Sequence, residues 1–194
     1  MLRSIQTEPS IEPVTLEEAK AHLVVEHTED DALIDSMIRA ARRSIEARCN
    51  RVIVRQKWRL YFDHGFGEMR LGPADVQEVE AIYYLDTDGA EQTLATSVYT
   101  VDIPRQCVYL AYGQSWPGTR YVRNAIYLDV WAGYYKTTSS PIEVKDDIPE
   151  DIVNCMLLMV DDLYSNRGKH SEMVLHHNDT YDALLQPHVV YEDR

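Results

Sequence analysis

Several features are scarce in this sequence, and each scarcity excludes a class of protein. It has three cysteines and no run of about 18 or more apolar residues, so we expect neither a disulfide-stapled scaffold nor a membrane span. The first residues are polar and no hydrophobic segment follows them, so the sequence shows no signal for secretion or membrane insertion. Basic residues number 19 against 32 acidic ones, for a net charge of −13. This balance argues against a protein that coats nucleic acid, because such binding relies on Lys and Arg neutralising phosphates.

Motifs for catalysis and metal binding are absent as well. No Gly-rich phosphate loop, nucleophile elbow, C-x-x-C or H-E-x-x-H sequence occurs. The best metal candidate is a group of histidines near the C-terminus, with two acids that could be added: His170, His176, His177, His188, Asp179 and Glu172. Metal sites sit on rigid elements, whereas these residues fall on a predicted mobile tail. We therefore expect no metal, no cofactor and no enzymatic activity.

The charges that are present are unevenly distributed. Residues 39–59 contain eight bases and one acid, Glu46, a local balance of +7 that leaves −20 for the rest of the chain. Pairs at i,i+4 spacing, Glu46 with Arg42 and Asp35 with Arg39, account for part of this cluster as a solvated helix face. One acid cannot partner so many bases. The alternative is that the basic face of one copy meets an acidic face of the next, a contact that closes rings.

Three main helices are predicted. Thr15 and Glu18 form a T-x-x-E capping box for a short first helix. Residues 28–51 carry apolar side chains at three- and four-residue steps, which predicts a long amphipathic helix with Thr28 as its N-cap. Residues 149–168 are apolar almost all round in their middle part, which predicts a third helix that is buried on most faces.

Between the second and third helices the apolar pattern changes to a period of two. Five short runs rich in aromatic and β-branched residues, separated by turn signals, predict five or six antiparallel strands. The runs are residues 52–62, 80–85, 98–102, 107–112 and 125–133. Their tyrosines could form a stacking platform for nucleic-acid bases. Cross-strand packing is the favoured use, because basic residues are not interleaved among them.

These patterns predict an α+β fold: a helical bundle, made of an N-terminal helical hairpin plus C-terminal helices, with an inserted small antiparallel β domain. The predicted divisions are an N-terminal arm (1–12), a helical core (13–52 and 141–169), the inserted β domain (53–140) and a C-terminal tail with a short helix (170–194). The tail has few apolar residues, so we expect it to be disordered or to be ordered by a partner.

Three segments in this order resemble a known family. They are PVTLEEAKAHL, then DDALIDSMIRAARRSIEARCNRVIVRQKWRL and, much later, IPEDIVNCMLLMVDDLYSNRG. Together they closely resemble the head-tail connector (adaptor) proteins of tailed bacteriophages. The resemblance spans nearly the whole chain and is strongest at residues 13–60 and 148–168. It rests on the order and spacing of helix caps and core stripes, since none of the segments is catalytic.

The resemblance implies a structural role in the virion neck, with assembly in the host cytoplasm. Such proteins form a ring, commonly of twelve copies, below the portal protein. The ring extends the DNA channel and docks the next neck, stopper or tail protein, while DNA passes without sequence-specific binding and no membrane takes part. Two alternatives remain: another phage assembly interaction protein, or a DNA-binding module that uses the basic stretch of residues 39–59.

Two groups of residues are candidates for contacts in such a ring. The candidate subunit interface consists of Arg39, Arg42, Arg43, Glu46, Asp30 and Asp31. The candidate portal-contact tail consists of His176, His177, Tyr181, Leu184, Leu185 and Tyr191. Surplus acid along the channel would repel phosphates and let DNA slide rather than stick.

Overall fold

A computed structural model describes residues 2–63, 67–72, 75–134, 148–166 and 179–191 of the chain. Within these residues the helices are α1 (Leu16–Leu23), α2 (Asp31–Cys49), α3 (Glu150–Ser165) and α4 (Asp179–Leu185), the last followed by a 3-10 turn at Gln186–His188. The strands are β1 (Leu2–Thr7), β2 (Gln56–Phe62), β3 (Met69–Arg70), β4 (Val76–Leu85), β5 (Glu91–Thr93), β6 (Tyr99–Asp102), β7 (Cys107–Leu110) and β8 (Ile126–Ala132).

The strands form two antiparallel sheets. The larger sheet has the order β1-β2-β8-β4-β5, and the smaller has the order β3-β7-β6. At the centre of the larger sheet, β2 and β8 pair along their full length, from Gln56 opposite Ala132 to Phe62 opposite Ile126. Alternate side chains on these strands point to one face, where they share a buried core with Val108 of the smaller sheet.

The helices form a separate layer with its own core. Apolar residues of α2 and α3, including Ile38, Ile45 and Met156, are buried together there. Residues 52–54 join the two layers, because Val52 packs in the sheet core while the two residues after it pack in the helical core. Each layer therefore has its own hydrophobic centre, and the chain between α2 and β2 is buried in both.

This architecture corrects the predicted fold class. The chain is a sheet-rich α+β protein with two antiparallel sheets, and it is not a helical bundle that carries a small insertion. Residues 2–7, which the sequence assigned to an arm, form β1 and pair with β2 from Leu2 opposite Tyr61 onward. Nearly all side chains of β1 are exposed, so this edge strand carries no alternation of buried and exposed residues that a sequence pattern could reveal.

The helix ends test the capping predictions. The capping box of α1 is confirmed: the Thr15 hydroxyl accepts from the Glu18 amide at 3.2 Å, and the Glu18 carboxylate accepts from the Thr15 amide at 2.9 Å. The prediction of Thr28 as N-cap of α2 is wrong. That helix begins after Asp30, and it is the carbonyl of Thr28 that accepts, from the Asp31 amide at 3.2 Å. Consecutive cap-forming residues in this stretch make the start position ambiguous from sequence.

Gly133, which follows β8, meets a constraint that only glycine satisfies. Its φ is +123°, and a Cβ there would lie 2.7 Å from the backbone of Val54. Gly113 has a φ of +74° with open space around it. Gly133→Ala is expected to lower the free energy of unfolding by about 3 kcal/mol or more, against about 1 kcal/mol for Gly113→Ala. Urea unfolding of both variants measures the difference, and equal losses would contradict the steric contact.

Candidate subunit-interface site

Helix α2 carries five of the six residues predicted for subunit contacts, and the sixth, Asp30, is its N-cap residue. Its apolar stripe, which includes Ile34, Ile38 and Ile45, is fully buried against the other helices. Burial of this stripe turns Arg39 and Arg43 toward solvent, where both are exposed. These two arginines are therefore accessible to a neighbouring molecule.

Arg42 and Glu46 lie inside the molecule instead. Arg42 is 2% exposed; its Nε donates to Glu12 at 2.7 Å and its Nη1 to Glu46 at 2.8 Å. The second oxygen of Glu46 accepts from the Ile53 amide at 3.0 Å and from Gln56 Nε2 at 2.8 Å. The pair is thus a buried joint between α2, the start of β2 and the segment before α1, and it is not a surface contact.

The electrostatics of this joint follow from its burial. Loss of water raises the pKa of the Glu46 carboxyl, and the attraction of Arg42 and the Ile53 amide only partly offsets that effect. Burial acts in the opposite direction on Arg42, but hydrogen bonds and charges from Glu12 and Glu46 outweigh it, so the pKa of Arg42 is raised. Arg42 therefore stays charged and needs its carboxylate partners.

The other bases of residues 39–59 also have partners. The ion pairs are Arg39 with Asp35, Arg43 with Glu8, Arg48 with Asp182, Arg51 with Asp75, Lys57 with Glu80, and Arg59 with Asp129. Arg55 lies over the ring of Trp131 at 3.8 Å. Most of these acids come from distant parts of the sequence. The local balance of +7 is therefore largely neutralised within one chain, and the stretch does not form a free basic face.

The outer face of the larger sheet shows the same internal pairing. Asp129 on β8 is 3% exposed and accepts two hydrogen bonds from Arg59, at 2.6 and 2.9 Å, with Lys57 Nζ at 3.4 Å. The Arg59 guanidinium lies 4.3 Å from the ring centre of Tyr127, which stacks with Tyr83 at 5.0 Å. Tyr83 and Tyr127 thus pack across strands as predicted, whereas Tyr112, in another of the predicted runs, is fully exposed.

Asp129 gives this face a pH dependence. Burial alone would raise the pKa of Asp129, but the hydrogen bonds and charges of Arg59 and Lys57 outweigh it and hold that pKa below its ordinary value. A carboxyl whose pKa is lowered by folding stabilises the fold above its unfolded pKa of about 4, and this contribution is lost as the pH falls through the folded pKa.

Asp129→Asn is therefore expected to lower the free energy of unfolding by about 2 kcal/mol or more at neutral pH, with a smaller loss near pH 3. Urea unfolding at both pH values measures the two losses. The exposed Asp88→Asn, on the turn after β4, is the matched control and should change little. An equal loss at both pH values would attribute the effect of Asp129→Asn to packing rather than to charge.

The candidate portal-contact residues have different environments. Leu185 is 1% exposed in the helical core, and Tyr181 and Leu184 pack around the same core. Tyr191 is 77% exposed. His176 and His177 lie outside the described residues. Of the residues that the structure describes in this group, Tyr191 is the one whose side chain is mostly exposed to solvent.

The segment after α4 is attached to the C-terminal end of α2. Arg51 Nε donates to the carbonyl of His188 at 2.6 Å, and the amide of Val190 donates to the carbonyl of Cys49 at 2.9 Å. The sequence predicts a tail that is either disordered or ordered by a partner, whereas residues 179–191 are held by contacts within the chain. The segment has few apolar residues, but the helical spacing of Tyr181, Leu184 and Leu185 places all three on one face of α4, against the helical core.

The histidines and acids considered as metal ligands lie partly within the described residues. Among the described residues, no group of three or more His, Cys, Asp or Glu side chains is placed to hold a metal ion. Of the predicted ligands, His170, Glu172, His176 and His177 lie outside those residues. His188 is described, and its Nε2 lies 3.6 Å from Asp151.

In the described part of the chain, no helix combines the length and apolarity needed to cross a bilayer.

The structure also shows a surface that the sequence analysis did not single out. The loop between β7 and β8, residues 111–124, exposes Tyr112 and Tyr121 completely. Arg120 and Arg123 are exposed beside them. The signal in the sequence is that residues 103–128 contain three arginines and no acid, in a chain whose net charge is −13.

Comparison with known families gives a match over the first two helices and the strands that follow them. Residues 13–83 match the family model of phage gp6-like head-tail connector proteins. This part of the chain therefore resembles the head-tail connector family. The matched residues run from the entry to α1 into β4, and they include the capping box and the joint between Arg42 and Glu46. The family resemblance stated from the sequence is confirmed, and the family is a structural one.

Solved structures resemble this chain along its whole length. A chain in the neck of an empty gene transfer agent (GTA) particle, computed with C6 symmetry, has a TM-score of 0.75 at 20% identity and covers 100% of this chain and 98% of that one. A chain in the virion of the native GTA particle gives the same values. A third, from the native neck computed with C12 symmetry, has a TM-score of 0.74 at the same identity and coverage. This likeness shows a shared fold. No curated protein sequence matches this chain.

Proposed function

We propose that this chain is a head-tail connector, which forms a ring in the neck of a tailed, DNA-filled particle, between the portal protein and the next neck or tail component. The observation that carries the proposal is the match of residues 13–83 to the head-tail connector family. The similar solved chains support it, because they come from particle necks computed with C6 and C12 symmetry. A ring of twelve copies is compatible with both symmetries. The connector is then a virion protein that assembles from the host cytoplasm.

Passage of DNA through the ring suits the charge of the connector. The net charge is −13, and the bases of residues 39–59 are held by acids of the same chain. A wall of this kind repels phosphates and does not retain DNA. The alternative of a DNA-binding module that uses residues 39–59 is not favoured, because such a module needs Lys and Arg side chains free to neutralise phosphates and the bases of this stretch have partners within the chain.

Contacts between copies and with the portal involve a subset of the predicted residues. Arg39 and Arg43 are exposed, and their pairs with Asp35 and Glu8 are of the kind that contributes little in water, so both can exchange partners. Asp30 and Asp31 stand at the start of α2 but already bond Tyr164 and Lys20. Tyr191 is the proposed portal contact among the described tail residues.

Particles assembled without the chain test this function. Deleting its gene should yield DNA-filled heads and separate tails in negative-stain micrographs, and adding the purified chain to the extract should join them. The surface variant Asp88→Asn should restore joining as well as the unaltered chain does, because Asp88 lies on an exposed turn. Tailed particles that form at normal yield without the chain would exclude the connector role.

A further inference from the structure

The two layers of the connector extend away from the buried residues 52–54 that join them. Helix α2 has 19 residues and ends at this junction, so its first residue is roughly 28 Å away. Strand β8 has 7 residues and also ends near the junction, so the loop before it is roughly 23 Å away. Within the described residues, no helix packs extensively on a strand. The start of α2 and the loop before β8 are thus remote from each other.

The loop of residues 111–124, called here the basic loop, carries an unpaired basic and aromatic surface. Tyr112 and Tyr121 are fully exposed and Val122 is 41% exposed. Arg120 and Arg123 are exposed and form no ion pair within the part of the chain that the structure describes. Tyrosine and arginine are the residue types that most often dominate protein interfaces.

The basic loop is also fixed in position. The amide of Arg120 donates to the carbonyl of Leu85 at 3.0 Å, and the amide of Asn124 donates to the Asp63 carboxylate at 2.9 Å. Trp116 packs against the sheet core from within the loop. Because the backbone is already ordered, binding through this surface costs little conformational entropy.

The other end of the molecule carries a complementary surface, called here the acidic end. It consists of Val24, Glu26, Asp161, Asp162 and Leu163. The two segments meet there because the Tyr164 hydroxyl donates to Asp30 at 2.7 Å. Val24 is 86% exposed and Leu163 is 39% exposed. The three carboxylates are exposed and have no cationic partner among the described residues.

We infer that the basic loop of one copy docks on the acidic end of a second copy. The arginines then meet the carboxylates, and the tyrosine rings cover the exposed valine and leucine. One chain cannot make this contact with itself, because the two surfaces lie at opposite ends. The contact is therefore head-to-tail and repeats from copy to copy. Closure of that series into a ring rests on the proposed function.

Exchange of charge between the two surfaces tests the contact. The loop variant is Arg120→Glu with Arg123→Glu, and the end variant is Asp161→Lys with Asp162→Lys. Sedimentation of the full-length chain over a range of concentration and salt should show each variant associating about ten-fold more weakly or worse than wild type. An equimolar mixture of the two variants should regain association, and so should one chain that carries all four substitutions.

A matched control separates this contact from a general charge effect. Arg70→Glu with Arg105→Glu reverses two exposed arginines on the smaller sheet, at 75% and 80% side-chain exposure, and should leave association unchanged. Thermal unfolding checks that every variant folds as wild type does, which is expected because none of the substituted residues is buried.

Several results would overturn the inference. The first is a wild-type chain that stays monomeric at its highest soluble concentration. The second is an equimolar mixture of the loop and end variants that does not regain association. The third is a loop variant that loses binding to duplex DNA or to purified portal while its self-association is unchanged. Joining of heads to tails by the added wild-type chain tests the proposed function separately. If joining succeeds while charge exchange has no effect, only this contact is wrong.

Discussion

Glu46→Ala is expected to lower the free energy of unfolding by about 3–5 kcal/mol, because it leaves a buried charge short of a partner. Arg42 is 2% exposed and would keep only Glu12. The Ile53 amide and the Gln56 side chain would lose their acceptor at the same time. Urea unfolding at neutral pH measures the loss.

Two further variants identify the cause of that loss. Arg39→Ala removes an exposed arginine of the same helix and should cost less than about 0.5 kcal/mol. Arg42→Met combined with Glu46→Gln removes both charges, keeps an oxygen acceptor, and should be more stable than Glu46→Ala alone. If Glu46→Ala costs no more than Arg39→Ala, the joint does not hold the two layers together.

Leu185→Ala is expected to lower the free energy of unfolding by about 3 kcal/mol and to detach residues 179–191 from the helices. Leu185 is 1% exposed and is the buried residue of the segment; its other attachments are the partly buried Tyr181 and Leu184 and the bonds of Arg51, Arg48 and Val190. Limited proteolysis followed by mass spectrometry should show faster cleavage in this segment, because a detached helix of 7 residues is not stable alone.

Tyr191→Ala is the control for the tail. Its side chain is 77% exposed, so stability and cleavage should stay near wild type while binding to purified portal weakens. Cleavage of Leu185→Ala at the wild-type rate would show that the segment does not depend on the helical core.

The sequence predicts those parts of the fold that depend on local spacing. The capping box at Thr15 and the stripe of α2 involve residues at most a few turns apart, and both are present. The strands β2, β4, β6, β7 and β8 fall within or across the predicted period-two runs. The edge strand β1 was missed because its hydrogen bonds to β2 stabilise it rather than burial of its side chains. The prediction of a helical bundle is wrong because β1 and the second sheet make the fold rich in strands.

The ion pairs of residues 39–59 include partners that sequence spacing does not reveal. The i,i+4 pair of Arg42 with Glu46 is readable from the sequence, but its burial and its third member, Glu12, are not. Arg43 and Arg48 pair with acids that the fold brings from the two ends of the described chain, Glu8 and Asp182. A window that counts charges along the chain cannot include such partners, so it overstates the basic face of α2.

The measurement that tests the central claim most directly is a cryo-electron microscopy reconstruction of the particle vertex that carries the tail. The expected result is a ring of density, directly below the portal, into which copies of this fold fit with both sheets and with the basic loop of each copy against the acidic end of the next. A vertex in which the ring below the portal fits a different chain, or in which this fold lies elsewhere in the particle, would contradict the connector role.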